Sequence, residues 1–175
     1  PWQEACKRKK AILKVIDINE DGEIDLHSFE RLLTPKTKIV SISHISNALG
    51  TINPIEEIIA KAHLMGAAVC IDGAQGLSHG KVDVQKLDCD FYAFSAHKMY
   101  GPMGIGGLYG KSKWLNEMQP YQLGGEMIDK VTFEKTTFNE LPYKFEAGTP
   151  NVADTIGFGA AIDYLQEIGW EFIEQ

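Results

Sequence analysis

The sequence has few cysteines, and none of them are spaced as metal ligands. Its three cysteines, Cys6, Cys70 and Cys89, are an odd number and form no C-x-x-C motif. Small disulfide-stapled proteins use paired cysteines, and thiolate zinc sites commonly use C-x-x-C pairs. The sequence therefore predicts neither a disulfide framework nor a zinc site. It predicts that the three thiols are packing residues, since free cysteine behaves as a small hydrophobe.

The sequence also lacks a long apolar run and an excess of positive charge. No apolar stretch reaches the about 18 residues that a membrane span requires, and no signal segment opens the chain. Lys and Arg number 17 against 24 Asp and Glu, a formal net charge of −7. Nucleic-acid-binding domains need a basic surface to displace counterions. We therefore expect a soluble, cytoplasmic protein that binds neither nucleic acid nor membrane.

Length and composition predict one globular unit. The chain has 175 residues, of which 44% are hydrophobic, too apolar for disorder and long enough to bury a core. It opens with Pro1 rather than Met and stops in mid-pattern at Glu174-Gln175. We therefore expect a piece of a longer protein.

Apolar runs alternate with amphipathic segments along the chain. Asn53 is a candidate cap for a helix from Pro54 to Met65, and Gly66 can end that helix. The run 67–71 that follows is apolar without alternation, which is typical of a strand covered on both faces. The same pattern predicts strands at 38–43, 90–95 and 106–109, helices at 25–33 and 155–168, and loop with short strands at 119–143. This order predicts an α/β fold with a mostly parallel central sheet and helices on both faces.

A near match to a calcium-binding loop lies early in the chain. Residues 17–25 match the first nine positions of an EF-hand loop, including Gly22 at the sixth. The twelfth position is Ser28 instead of the bidentate Glu, and the preceding segment 11–16 is rich in β-formers rather than helical. We therefore favour a strand, a turn and a helix capped by Asp25. A non-catalytic module that binds calcium through this loop, or a partner through its own acidic surface, remains the remote alternative.

Polar side chains follow three successive predicted strands. In open parallel sheets, ligands bind beyond the carboxyl ends of the strands. A lysine at such an end can be a nucleophile toward carbonyls, a carboxylate can keep a pyridine nitrogen protonated, and hydroxyl and imidazole groups can bind phosphate. The residues in question are Asn47, Asp72, Gln75, Ser95, His97 and Lys98. Together they predict a pyridoxal 5'-phosphate site.

Each of these residues taken alone has a simpler explanation. Asp72 before a glycine is a common turn cap, His97 alone is more often a hydrogen-bonded core residue, and Lys98 alone is a solvated surface lysine. The glycines at 101–107 fit no nucleotide-binding motif. Only the joint occurrence at three strand ends favours a site.

Four blocks of the sequence carry a resemblance to a known family. They are His44-Ile-Ser-Asn47-Ala-Leu-Gly50, Asp72-Gly-Ala-Gln75, the stretch 88–106 with Ser95-Ala-His97-Lys98, and Phe145-Glu-Ala-Gly148-Thr149-Pro150-Asn151. Over essentially the whole chain they resemble the Suf-type (group II) cysteine desulfurases, which implies that residues 1–175 are the central portion of the large cofactor-binding domain. These, with the selenocysteine lyases, belong to the class V aminotransferase family of fold-type I pyridoxal phosphate enzymes.

The resemblance implies a role for each matching residue. Lys98 corresponds to the catalytic lysine that binds the cofactor as a Schiff base and later moves protons. Asp72 corresponds to the partner of the pyridine nitrogen, whereas Gln75 and Asn47 correspond to residues near the ring's phenolic oxygen. Ser95 and His97 correspond to phosphate ligands. Thr149 is similar to the residue that reaches the phosphate of a neighbouring subunit, which implies a homodimer.

The resemblance also implies an activity and its partners. The family converts L-cysteine to L-alanine and passes the sulfur, as an enzyme persulfide, to an acceptor protein of iron–sulfur cluster assembly. Selenocysteine lyase, acting on L-selenocysteine, or another class V enzyme is the alternative, because these residues serve the cofactor rather than the substrate. None of the three cysteines matches the family's persulfide cysteine, so we expect this chain alone to be inactive.

Overall fold

The computed structural model describes residues 1–173 and shows an α/β protein. Its strands are β1 (Ile39–Ser43), β2 (Ala68–Asp72), β3 (Phe91–Ser95), β4 (Gly106–Gly110), β5 (Ile128–Val131) and β6 (Thr136–Phe138). Its α-helices are α1 (Trp2–Lys9), α2 (Leu26–Leu32), α3 (Ile55–Leu64), α4 (Gly76–His79), α5 (Val84–Leu87), α6 (Ser112–Glu117), α7 (Val152–Ile168) and α8 (Trp170–Ile173). Short 3₁₀ helices span Ala96–Lys98 and Tyr143–Phe145. Glu174 and Gln175, where the sequence ends in mid-pattern, lie outside the described residues.

The central sheet has four strands in the order β1-β2-β3-β4. β1, β2 and β3 are parallel, and β4 pairs antiparallel with β3 at the edge. The mostly parallel sheet predicted from the sequence is confirmed, with strand ends within about one residue of the expected positions. Parallel strands need crossover connections, which α3 and the short helices α4 and α5 provide here.

One face of this sheet carries the core. Alternate residues of β1, β2 and β3 point to this face and are buried against α2 and α3. The buried cluster comprises Phe29, Val40, Ile42, Ile55, Ile58, Ile59, Ala62, Ala67, Val69, Ile71, Cys89 and Tyr92. On the opposite face, Ile39 and Leu108 are exposed.

Helix α3 forms where the sequence predicts it, but its start differs in one contact. Ile55, Ile58, Ile59 and Ala62 are buried on one face, as their spacing predicts. The expected Asn53 cap is wrong: no side chain caps this helix, and the Asn53 amide instead donates to the Ser43 carbonyl oxygen at 2.8 Å. Asn53 is therefore used to join the loop before α3 to the end of β1.

The loop that resembles a calcium site is held together by its own hydrogen bonds. Asp25 Oδ1 accepts from the backbone N–H groups of His27 and Ser28 at 2.9 and 3.1 Å, which caps α2. The Ser28 hydroxyl donates to Asp17 Oδ2 at 2.9 Å. The turn and the cap are confirmed. Within residues 1–173, no cluster of three or more His, Cys, Asp or Glu side chains is arranged to hold a metal ion.

The strand expected at residues 11–16 is wrong. This segment has no strand pairing, and the only ladder near it is an isolated bridge between Ile18 and Ile24. Ile12 and Val15 are 81% and 74% exposed. β-forming side chains do not make a strand without a neighbouring strand to pair with, and this segment has none among the described residues.

The last third of the chain agrees with its predicted outline. The segment expected to be loop with short strands contains the hairpin of β5 and β6. Helix α7 begins at Val152, three residues before the expected start, because Asn151 accepts a hydrogen bond from the Asp154 N–H. It ends at Ile168 and is followed by Gly169, whose φ is +86°. No helix within residues 1–173 is both long enough and apolar enough to cross a bilayer.

Candidate functional site

The carboxyl ends of the three parallel strands lie side by side. Ser43 at the end of β1 is in register with Asp72 of β2, and Asp72 is in register with Ala93 of β3. The loops that follow these strands therefore leave the sheet at one edge. This is the edge where open parallel sheets bind ligands.

Asp72 is the last residue of β2, and its carboxylate is exposed. Its Oδ1 accepts from the backbone N–H of Ala74 at 3.0 Å, which folds the chain back after the strand. Its own carbonyl oxygen accepts from the His44 N–H at 2.8 Å. The carboxylate is thus held by the turn that it begins while still facing solvent.

Asn47 and Gln75 meet although 28 residues separate them. The Gln75 side-chain amide donates to Asn47 Oδ1. Asn47 comes from the loop after β1 and Gln75 from the turn after β2, so the contact joins two of the three loops. The structure thus brings these two predicted site residues together.

Ser95, His97 and Lys98 lie where β3 ends. Ser95 is the last residue of β3 and pairs with Gly106 of β4. The chain then turns at once into the 3₁₀ helix Ala96–Lys98, where the His97 side chain is exposed and Lys98 is half-buried. A Cβ on Gly106 would come within 2.4 Å of the Phe94 carbonyl oxygen, so this close approach of β4 requires glycine.

Thr149 lies in a separate segment, just before α7. It is exposed and follows Gly148, whose φ is +84°. The Gly148 N–H donates to the Gly125 carbonyl oxygen at 3.0 Å, which ties this segment to the loop before β5. Among the described residues, no hydrogen bond joins Thr149 to the other predicted site residues.

Two residues close to this edge have no role in the sequence-based prediction. The Tyr92 hydroxyl lies 2.9 Å from His44 Nδ1, beneath the turn that follows β2. The available signals were a tyrosine hydroxyl in a mostly apolar strand and two glycines, Gly73 and Gly76, on either side of Gln75. Sequence spacing does not pair residues 44 and 92, because only the strand register brings them together.

The three thiols differ in their surroundings. Cys89 is fully buried, and burial raises the pKa of its thiol to about 11. Burial also raises the pKa of Cys70, which is half-buried in β2. Cys6 is half-exposed on α1, a helix without buried residues. The packing role is confirmed for Cys89, whose thiol stays protonated near neutral pH.

The fold and the strand-end residues are those of an open α/β domain. Its mostly parallel sheet carries a carboxylate, an amide pair and a lysine at the strand ends, where such sheets bind ligands. The chain belongs to the aminotransferase class V family, whose sequence pattern it matches over residues 1–175.

Relatives about half identical to this chain are named cysteine desulfurases. A cysteine desulfurase of Enterobacter sp. (strain 638) is 52% identical over 100% of this chain and 43% of its own length. The crystal structure of the cysteine desulfurase CsdA from Escherichia coli matches with a TM-score of 0.94 and 42% identity, over 100% of this chain and 43% of that one. A C-DES mutant with glycine covalently linked to its PLP cofactor matches with a TM-score of 0.83 and 28% identity, over 96% and 46%. The chain thus spans less than half the length of these relatives.

Proposed function

We propose that residues 1–175 form the central part of the cofactor-binding domain of a pyridoxal 5'-phosphate-dependent cysteine desulfurase. The intact protein would convert L-cysteine to L-alanine and pass the sulfur, through an enzyme persulfide, to an acceptor protein of iron–sulfur cluster assembly. Membership of the class V family and the similarity to cysteine desulfurases support this proposal. We place the protein in the cytoplasm.

The main support for the proposal is that Asp72 and Lys98 follow one another at the ends of two neighbouring parallel strands. β2 ends in the exposed carboxylate of Asp72, and β3 leads within three residues to the half-buried amine of Lys98. Pyridoxal phosphate needs an anion beside its ring nitrogen, an amine beside its aldehyde carbon and donors for its phosphate and phenolic oxygens. The donor set at this edge fits those needs. When bound, this cofactor supplies an electron sink for charge that develops on the substrate carbon.

Each predicted site residue of this chain would have its own role in binding the cofactor or moving protons. Asp72 would hold a proton on the ring nitrogen through its second carboxylate oxygen, since the first accepts from the Ala74 N–H. Gln75 and Asn47, whose side-chain amides are hydrogen-bonded to each other, would orient the ring. Lys98 would bind the cofactor through Nζ and would move a proton to and from the substrate.

The phosphate ligands would come from two subunits. Ser95 and His97 stand beside Lys98 and offer a hydroxyl and an imidazole from the same turn. Thr149, in a separate and exposed segment, would serve the phosphate of a second copy of the chain. We therefore propose a homodimer with shared sites.

The proposal is tested by the visible absorbance of the intact protein. With pyridoxal phosphate added and excess removed, the protein is expected to be yellow, and Lys98→Ala is expected to lose the band of the covalently held cofactor. Lys36→Ala, which removes an exposed lysine near α2, is the matched control and should keep the band. Equal spectra for the wild type and Lys98→Ala would contradict the proposal.

The substrate is tested separately on the yellow protein. L-cysteine is expected to release alanine and sulfide when a thiol reductant is present. A protein that turns over L-selenocysteine but leaves L-cysteine unchanged would be a selenocysteine lyase instead, with the cofactor site intact.

A further inference from the structure

Tyr92 lies directly beneath the turn that carries Asp72 and Gln75. It is 1% exposed and is the largest fully buried side chain among the described residues. A Cβ on Gly73 would come within 1.8 Å of Tyr92 Cε1, and a Cβ on Gly76 within 2.4 Å of the Tyr92 hydroxyl oxygen. The tyrosine ring therefore fills the space that side chains at both ends of this turn would need.

The Tyr92 hydroxyl is paired with His44. The hydroxyl oxygen lies 2.9 Å from His44 Nδ1, and the two rings are edge to face at 84° with centroids 6.1 Å apart. The His44 backbone N–H donates to the Asp72 carbonyl oxygen at 2.8 Å. The His44 carbonyl oxygen accepts from the Asn53 N–H at 2.9 Å. The side-chain pair therefore joins the loop after β1 to β3, and the His44 backbone joins the same loop to the end of β2.

Burial keeps both side chains of this pair uncharged near pH 7. Burial lowers the pKa of His44. Burial, with smaller contributions from Cys89 and Asp72, raises the pKa of Tyr92. The uncharged phenol and the uncharged imidazole share one hydrogen bond. This bond fixes both rings and places no charge beneath the turn.

We propose that Tyr92 and His44 are positioning residues of the site. Together they fix the turn from Asp72 to Gly76, so that the Asp72 carboxylate and the Gln75 amide are held where the ligand meets them. Tyr92 is buried and acts through the turn rather than by touching the ligand. This inference rests on the proposed function, because it takes Asp72 and Gln75 as the residues that contact the cofactor.

The central experiment removes only the hydroxyl group. Tyr92→Phe in the intact, cofactor-free protein is titrated with pyridoxal phosphate, and the Kd and the position of the absorption band are measured. One lost hydrogen bond between neutral groups is expected to raise the Kd about three- to tenfold and to shift the band. Tyr109→Phe is the matched control, because Tyr109 is the half-buried cross-strand neighbour of Tyr92 on β4. It should leave both quantities unchanged.

A second control separates positioning from general destabilisation. Ile58 is fully buried on α3, within the core and outside the turn. Ile58→Val should lower the unfolding midpoint of the cofactor-free protein yet leave the Kd and the band unchanged. If Ile58→Val weakens cofactor binding as much as Tyr92→Phe at an equal loss of unfolding midpoint, the role of Tyr92 is only structural and the inference is overturned.

The pair itself is tested by a double variant. If Tyr92 and His44 act through their shared hydrogen bond, His44→Ala and the double variant should weaken binding about as much as Tyr92→Phe alone. Additive losses would contradict the pairing. A wild-type protein that does not bind pyridoxal phosphate would refute the proposed function, whereas binding by the wild type with an unchanged Kd in Tyr92→Phe would refute the positioning role alone.

Discussion

Asp72 combines a structural contact with the charge that the proposed chemistry needs. One carboxylate oxygen accepts from the Ala74 N–H and closes the turn after β2. The sequence alone places Asp72 at the end of a buried strand, where a turn cap and a cofactor ligand look alike. The structure shows the cap, so the charge has to be tested separately from the fold of the turn.

Two substitutions at Asp72 separate these roles. Asp72→Asn keeps an oxygen acceptor for the Ala74 N–H but removes the charge, whereas Asp72→Ala removes both. We expect Asp72→Asn to leave the unfolding free energy within about 0.5 kcal/mol of wild type while lowering kcat by about a hundredfold or more. Asp72→Ala should lose the same activity and a further 1 kcal/mol or so of stability. Assays of turnover and urea unfolding check this, and full activity in Asp72→Asn would contradict the assigned role.

Among the secondary-structure elements, a single buried carboxylate joins four segments. Asp90, just before β3, is fully buried. It accepts from the Trp114 indole N–H of α6 at 2.7 Å, from the Val69 N–H of β2 at 2.8 Å and contacts His63 Nε2 of α3 at 2.8 Å. Burial alone raises its pKa, but these hydrogen bonds and the charge of Lys111 outweigh burial and lower the pKa to about 2. The Asp90 contacts therefore fix the end of the sheet opposite the site.

Removal of this charge should destabilise the fold in a pH-dependent way. We expect Asp90→Asn to cost about 3 kcal/mol near neutral pH. Because the folded pKa lies below the ordinary value, the stabilisation is present above about pH 4 and falls as the pH drops toward 2. The difference in unfolding free energy between wild type and Asp90→Asn should therefore be smaller at pH 3 than at pH 6, by about 1 kcal/mol. Denaturant unfolding measures it.

The matched control for Asp90 is its exposed neighbour. Asp88, two residues earlier, pairs with Lys111 while facing solvent. Asp88→Asn should cost less than about 1 kcal/mol, as is usual for an exposed ion pair. Equal losses in Asp88→Asn and Asp90→Asn would show that burial of the Asp90 contacts does not matter.

Helix α7 contains two glycines with opposite surroundings. A Cβ on Gly159 would meet nothing within 4 Å, whereas a Cβ on Gly157 would come within 2.9 Å of Pro102 Cγ. We expect Gly159→Ala to stabilise the chain by about 0.5 to 1 kcal/mol, because alanine restricts the unfolded chain and favours helix. Gly157→Ala should stabilise the chain by about 1 kcal/mol less than Gly159→Ala, since Pro102 must move to make room for the new Cβ. Thermal unfolding of both variants compares them, and equal gains would contradict the described packing.

Elements with strong local signals were predictable from the sequence, and elements that depend on pairing were not. The strands of the central sheet and α3 follow from apolar runs, proline and glycine placement. Residues 11–16 have the composition of a strand but no neighbour to pair with, so they form none. The meeting of Asn47 with Gln75 was expected from parallel strand ends. The contact of His44 with Tyr92, 48 residues apart, depends on side-chain packing beneath a turn, which periodicity does not encode.

At the scale of the whole molecule, the proposed site is open to water in this chain. Asn47, Asp72, His97 and Thr149 are all exposed. Exposed charges and donors bind a phosphate-bearing ligand weakly, because water competes for each contact. We therefore expect the purified 175-residue chain to retain little pyridoxal phosphate and to release no sulfide from L-cysteine. Cofactor content after gel filtration measures this, and stoichiometric retention would contradict it.

In the proposed site, β2 and β3 present Asp72 and Lys98 to the same cofactor. The most direct measurement is borohydride reduction of the intact, cofactor-loaded protein, followed by mass spectrometry of its peptides and a crystal structure of the reduced protein. We expect a pyridoxyl group on Lys98 Nζ, with an Asp72 carboxylate oxygen about 3 Å from the ring nitrogen. A pyridoxyl group on another lysine, or a ring nitrogen that faces away from Asp72, would contradict it.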